Sequence, residues 1–139
     1  MPPTQRPGGP TILVVDDEPV VRATVVRLLS GWGFRVVEAE TAEEAMAVLT
    51  TFMGEQPQLI IVDVVLPGDN GIQLARRIRE EFPRQPILYM SGYPPEVIRA
   101  QGLRDDADEF MPKPFTAPQL IERVEAALAR GRTAADSRG

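Results

Sequence analysis

The strongest constraint on the fold is a repeated pattern of short apolar runs, each ending at a polar residue and followed by a helical stretch. Ile12-Leu13-Val14-Val15, Leu59-Ile60-Ile61-Val62 and Pro86 to Met90 are apolar on both faces. Such a run needs cover from both sides, which is the situation of a buried parallel strand. Phe34 to Ala39 alternates like a strand, and Asp108 to Met111 reads as a brief fifth. Between these runs lie helix signals. Pro19 suits a first turn, with Asp17 and Glu18 at its positive end, and the helix runs to about Ser30 before Gly31 and Gly33. Thr41 with Glu44 makes a capping box for a second helix ending near Gly54. Pro67 to Gly71 is turn chemistry, and a third helix follows from Ile72 to Phe82. Pro94-Pro95 opens a short helix that Gly102 ends, and Thr116 with Gln119 caps the last, with Leu120, Val124 and Leu128 on one face. Five strand–helix units in strict alternation predict a single doubly wound α/β domain: a five-stranded parallel sheet with five helices.

At 139 residues the chain is expected to form one domain. Residues 1–10 hold Pro2, Pro3, Pro7, Pro10, Gly8 and Gly9 and read as a disordered leader. Residues 11–130 form the domain, and 131–139, small and polar, read as a flexible tail. The net charge of −5 lacks the basic footprint of a nucleic-acid binder. Neither a membrane span nor a signal peptide is legible, so a cytoplasmic protein is expected.

Composition then narrows the chemistry. There is no histidine, no cysteine, and a single lysine, Lys113, against fourteen arginines. An imidazole base, a thiolate nucleophile and a zinc ribbon are excluded. Carboxylates, hydroxyls, one amine and backbone remain, a kit suited to a hard cation such as Mg²⁺. Ligands of open α/β sheets bind outside the carboxyl ends of the strands. Asp16 and Asp17, Asp63, Ser91 and Lys113 all fall at such ends. Taken singly, each has an ordinary explanation as a helix N-terminus, a turn former or a loop charge. Together they predict one rim where carboxylates hold a divalent cation and, with the ammonium, neutralise a phosphoryl group. The acceptor would be a carboxylate, and Asp63, on the strand expected to be central, is the best candidate.

Val14-Val15-Asp16-Asp17-Glu18-Pro19, Asp63-Val64-Val65-Leu66-Pro67-Gly68 with Gly71, Met90-Ser91-Gly92 and Lys113-Pro114-Phe115 occur in the order and spacing of a known family. Over residues 12–130 the chain resembles a receiver domain of two-component response regulators. The resemblance implies a flavodoxin-like fold of strand order 2-1-3-4-5. It implies that Asp63 takes a phosphoryl group from a phosphohistidine on a histidine kinase or histidine phosphotransfer protein, which this histidine-free chain cannot itself supply. Asp17, Asp63 and the backbone carbonyl of Val65 would ligate Mg²⁺ directly, and Asp16 through water. Lys113 would pair with Asp63 and then with the phosphoryl group. Ser91 would bond that group, and Phe110 would turn inward as Ser91 moves. The Lys113–Pro114 bond would be cis. Val20, Thr24 and Arg27 lie on a stripe of the first helix where family members dock the phosphohistidine helices; Val21, Val25, Leu28 and Leu29 form the stripe expected to face the core.

Val65 and Tyr93 depart from the best-known members, which carry amide or acid side chains there to place the hydrolytic water. Slow self-dephosphorylation is expected. The downstream target is unknown, and a monomer or weak dimer is expected. Met90-Ser91-Gly92-Tyr93 also resembles receivers of hybrid histidine kinases, so an excised receiver is an alternative, as is a receiver-like module that is never phosphorylated. An aspartate-nucleophile phosphatase would want a second aspartate at Val65, and a flavodoxin-like electron carrier would want Ser, Thr and Gly in place of Asp16-Asp17-Glu18.

Overall fold

The computed structural model describes residues 11–52, 56–100 and 109–136. Five parallel strands form the main sheet: β1 (Thr11–Val15), β2 (Arg35–Ala39), β3 (Leu59–Asp63), β6 (Ile87–Ser91) and β7 (Glu109–Pro112). Between β3 and β6, a small antiparallel pair stands apart, β4 (Val65–Leu66) with β5 (Asp69–Asn70). The helices are α1 (Pro19–Gly31), α2 (Ala42–Thr50), α3 (Gly71–Glu81), α4 (Pro95–Ala100) and α5 (Ala117–Asp136). The sheet order is β2-β1-β3-β6-β7. Counting the main sheet's strands alone, this is the expected 2-1-3-4-5.

Each strand feeds two cores because its side chains alternate between faces. Leu13 and Val15 of β1 and Ile60 and Val62 of β3 join Ala45 and Leu49 of α2, Ile72, Leu74 and Ile78 of α3, and Ile98 of α4. Ile12 and Val14 of β1 and Leu59 and Ile61 of β3 join Val25 and Leu29 of α1 and Leu120, Val124 and Leu128 of α5. The wholly apolar strands are therefore covered on both faces, as their composition requires. The expected stripe of α1 is the observed one: Val25 and Leu29 are buried, with Val21 and Leu28 packed partly against the same core.

Both predicted N-caps form, and the second closes as a reciprocal box. Thr41 Oγ1 accepts from the Glu44 amide at 3.0 Å. Thr116 Oγ1 accepts from the Gln119 amide at 3.3 Å, while the Gln119 side chain accepts from the Thr116 amide at 2.8 Å. Two local readings differ. The segment read as a plain turn after Asp63 folds back as the β4–β5 hairpin, with Gly68 at φ +70° in the left-handed region that glycine tolerates best. The last helix continues six residues past the boundary drawn at Arg130, ending at Asp136; Gly131, read as the start of the tail, does not stop it, and Arg132, Ala134 and Ala135 beyond it favour helix. Gly54, Gly102, residues 101–108 and residues 1–10 lie outside the described residues. Among the described residues, no helix is long and apolar enough to cross a membrane.

Candidate functional site

The register of the sheet brings the polar strand ends to one edge. Val15 pairs with Val62, Asp63 with Met90, and Ser91 with Pro112. Asp16 and Asp17 therefore follow β1 at the level where Asp63 ends β3, Ser91 ends β6 and Lys113 follows β7. Asp16 and Asp63 are buried, and Asp17 is exposed. Among the described residues, these three carboxylates each place an oxygen within 4.8 Å of the others. An all-oxygen donor set of this kind fits a hard divalent cation, which would also relieve the mutual repulsion of three carboxylates.

Lys113 Nζ completes the cluster. It lies 2.6 Å from Asp63 Oδ2, 3.4 Å from Asp16 Oδ2 and 3.5 Å from Glu18 Oε1. The other Asp63 oxygen, Oδ1, accepts from the Val65 amide at 2.9 Å. Asp16 Oδ1 accepts from the Glu18 amide at 2.8 Å. Both oxygens of each buried aspartate are thus engaged by donors of this chain. The Lys113–Pro114 peptide bond is cis, and the Lys113 amide donates to the Ser91 carbonyl at 2.8 Å, tying the lysine's loop to the end of β6.

Charge in this cluster has physical consequences. Burial alone would lower the Lys113 pKa, but the hydrogen bond and charge of Asp63, with Asp16 and Glu18, outweigh it and hold the ammonium above its usual value. Burial pushes the Asp16 carboxyl up to about 6 from 3.8, against the opposing pull of the Glu18 amide and Lys113. A carboxyl whose native pKa exceeds its unfolded value binds its proton more tightly when folded. This group therefore favours the native metal-free protein as pH falls from 7 toward 5. The expected gain is about 1 kcal/mol. Urea unfolding at the two pH values checks this, with Asp16→Asn as the reference in which that increment should vanish.

Gly71 supports the site from behind. Its amide donates to the Val64 carbonyl at 2.8 Å. A Cβ there would collide with the Asp63 carbonyl oxygen and press on Val62 Cγ2 at 3.1 Å. The helix α3 can start this close to β3 only because residue 71 has no side chain. Gly71→Ala is expected to cost about 1–3 kcal/mol, the range for overpacking a filled site. Wild-type unfolding in urea for that variant would contradict the close approach.

The comparisons with known proteins agree with this geometry. The model of the response regulator receiver domain matches residues 12–125. The chain belongs to the response regulator receiver domain family. It is 39% identical over 124 residues to the phosphate regulon transcriptional regulatory protein PhoB of Pseudomonas aeruginosa, covering 88% of this chain and 53% of that protein. The chain thus spans about half the length of the curated relatives it matches. Among solved structures it is similar to a response regulator receiver protein from Sinorhizobium medicae WSM419, with a TM-score of 0.77, 30% identity and coverage of 88% and 97% of the two chains. It is also similar to the receiver domain of the hybrid histidine kinase CckA, with a TM-score of 0.71, 34% identity and coverage of 85% and 98%.

In this receiver domain the other expected residues fall as follows. Ser91 is buried, and its Oγ accepts from the Tyr93 amide at 2.9 Å, so the hydroxyl is held by its own loop. Phe110 lies on β7 opposite Tyr89, partly buried against the core shared with α2, α3 and α4. Its carbonyl accepts from Arg123 Nη1 at 2.9 Å. Val20 is 79% exposed on the outer face of α1, and Arg27 is exposed. Thr24 is half-buried and donates back to the Val20 carbonyl at 2.8 Å. Val65 and Tyr93 are 53% and 50% exposed. Two contributors went unrecognised in sequence. Glu18, read as a helix-end charge, also faces Lys113, and Arg22 reaches the backbone under the acidic cluster. The available signal for Arg22 was an arginine four residues after Glu18 facing a strand that carries Glu38 and ends before Glu40.

Proposed function

We propose that this receiver domain accepts a phosphoryl group on Asp63 from a phosphohistidine of a histidine kinase or histidine phosphotransfer protein. The observation that carries the reading is Lys113 Nζ at 2.6 Å from Asp63 Oδ2, where Asp63 also belongs to the Asp16–Asp17–Asp63 carboxylate cluster. In this reading Asp17, Asp63 and the Val65 carbonyl would hold Mg²⁺, with Asp16 contributing less directly. The cation would supply charge neutralisation for the transferring oxygens. The rest falls to the chain. A carboxylate oxygen of Asp63 forms the new bond to phosphorus as the bond to the imidazole nitrogen breaks. The Val65 amide and Lys113 fix the orientation of that carboxylate, and positioning with electrostatic stabilisation is most of what such a transfer needs from a protein. Lys113 then passes from the carboxylate to the phosphoryl group. Ser91, whose Oγ accepts from the Tyr93 amide, turns its hydroxyl proton to a phosphoryl oxygen, and Phe110 follows inward, giving a local charge event a readout at β7.

Val20, Thr24 and Arg27 form the proposed docking stripe for the phosphohistidine helices. The proposed setting is cytoplasmic, as a monomer or weak dimer acting on a downstream protein. The acidic composition argues against nucleic acid as a direct partner of these 139 residues; several relatives, of which the match covers about half, are by name transcriptional regulatory proteins.

Beryllofluoride, a phosphoryl mimic, tests the reading. Wild-type protein is expected to bind it when Mg²⁺ is present and to fail without Mg²⁺. No binding under either condition would leave a passive interaction module. A second expectation concerns lifetime. Val65 offers no polar group to an attacking water and Tyr93 carries neither amide nor carboxylate, so the phosphoryl group should be lost slowly. Val65→Asn is expected to shorten its half-life several-fold in a decay assay on purified protein, and an unchanged half-life would contradict the role given to that position.

A further inference from the structure

Arg22 stands in the first turn of α1, and its side chain turns back over the end of β1. Nη1 donates to the Asp16 carbonyl at 2.7 Å, Nε to Glu38 Oε1 at 3.1 Å and Nη2 to Glu40 Oε1 at 3.2 Å. The side chain is only 13% exposed, whereas its two glutamate partners are 49% and 59% exposed. Ion pairs with half-exposed partners do little for stability. What the glutamates do is anchor the guanidinium where it meets the Asp16 carbonyl. On the other side of the same residue, the Asp16 amide donates to the Ala39 carbonyl at 3.1 Å, and Ala39 lies between the two glutamates. The Asp16 backbone is thus gripped at its nitrogen by β2 and at its oxygen by Arg22.

We propose that Arg22 is a positioning residue for cation binding: by holding the Asp16 carbonyl it fixes the Asp16–Asp17 peptide plane and so aims Asp17 into the cluster. This rests on the reading of Asp16, Asp17 and Asp63 as a Mg²⁺ site. Asp17 is the exposed member of the three, so the backbone under it matters most for where its carboxylate points. The planar fork of the guanidinium serves three acceptors at once, which a lysine, a single point charge, cannot do in the same geometry. Coulomb's law alone argues the reverse effect. A positive charge beside the cluster repels a dication, so removing it should tighten binding. The sign of the change therefore separates positioning from simple electrostatics.

The test is Mg²⁺ titration of the whole chain by calorimetry for wild type, Arg22→Met and Arg22→Lys, with urea unfolding of each alongside. Both variants are expected to bind Mg²⁺ roughly tenfold more weakly, the lower end of the effect of losing a group that orients a metal ligand. Arg22→Lys keeps the charge and the aliphatic stem, and it decides the question if Arg22→Met does not fold. Unchanged or tighter Mg²⁺ binding in Arg22→Met, or wild-type affinity in Arg22→Lys, overturns the proposal. Failure of the wild type to bind Mg²⁺ would be seen before any variant is compared; it removes the metal-site reading and this inference with it.

Discussion

Asp63→Asn is expected to abolish beryllofluoride binding while leaving the fold in place. Asparagine matches aspartate in shape and keeps an oxygen to accept from the Val65 amide, a bond of 2.9 Å in the wild type. It lacks the anionic oxygen that a phosphoryl group or its mimic must join. Lys113 loses its shortest contact but retains Asp16 at 3.4 Å and Glu18 at 3.5 Å, so the ammonium is not left alone. Fluorine NMR in the presence of Mg²⁺ reads the outcome directly: bound signals for the wild type and none for the variant. Bound signals of wild-type intensity in Asp63→Asn would move the acceptor elsewhere.

Lys113→Arg is expected to bind beryllofluoride roughly 10–100-fold more weakly, equivalent to the ~1.5–3 kcal/mol of a hydrogen bond to a charged group. The charge is conserved, so a purely electrostatic role would survive the change. The geometry would not. Nζ is a compact donor that meets Asp63 at 2.6 Å and Asp16 and Glu18 at 3.4 and 3.5 Å from one point, in a side chain only 18% exposed. A guanidinium is planar and larger, and it cannot occupy that point without displacing one of the three carboxylates. Because Lys113 is the chain's only lysine, the variant contains none, and no other side-chain amine can be credited with residual function. Wild-type affinity in Lys113→Arg would show that charge alone suffices at this position.

Much of this architecture is legible in residue order because it depends on periodicity. Runs such as Leu59–Val62 must be covered on both faces, and Thr41 and Thr116 announce helix starts through bonds made within four residues. Once the strands are parallel, the polar ends at Asp16, Asp63, Ser91 and Lys113 must share an edge. What escaped notice is held by contacts without a sequence period. Arg22 meets a backbone carbonyl, and a carbonyl is offered by every residue. Glu18 has a sufficient local explanation at the positive end of α1, which masks its approach to Lys113 across 95 residues of chain. The hairpin after Asp63 has strands of two residues each, too short to show alternation. Gly71 reads in sequence as one more turn glycine; only the packed structure shows that the space beside it is filled by the Asp63 carbonyl.

The most direct test of the central claim is to locate the phosphoryl group. The wild-type chain is incubated with Mg²⁺ and a small-molecule phosphodonor, trapped by borohydride reduction of the acyl phosphate, and its peptides are sequenced by mass spectrometry. One modified residue is expected, Asp63, with no label when Mg²⁺ is withheld. A label on another carboxylate, or none under conditions where the chain is folded and binds Mg²⁺, would contradict it.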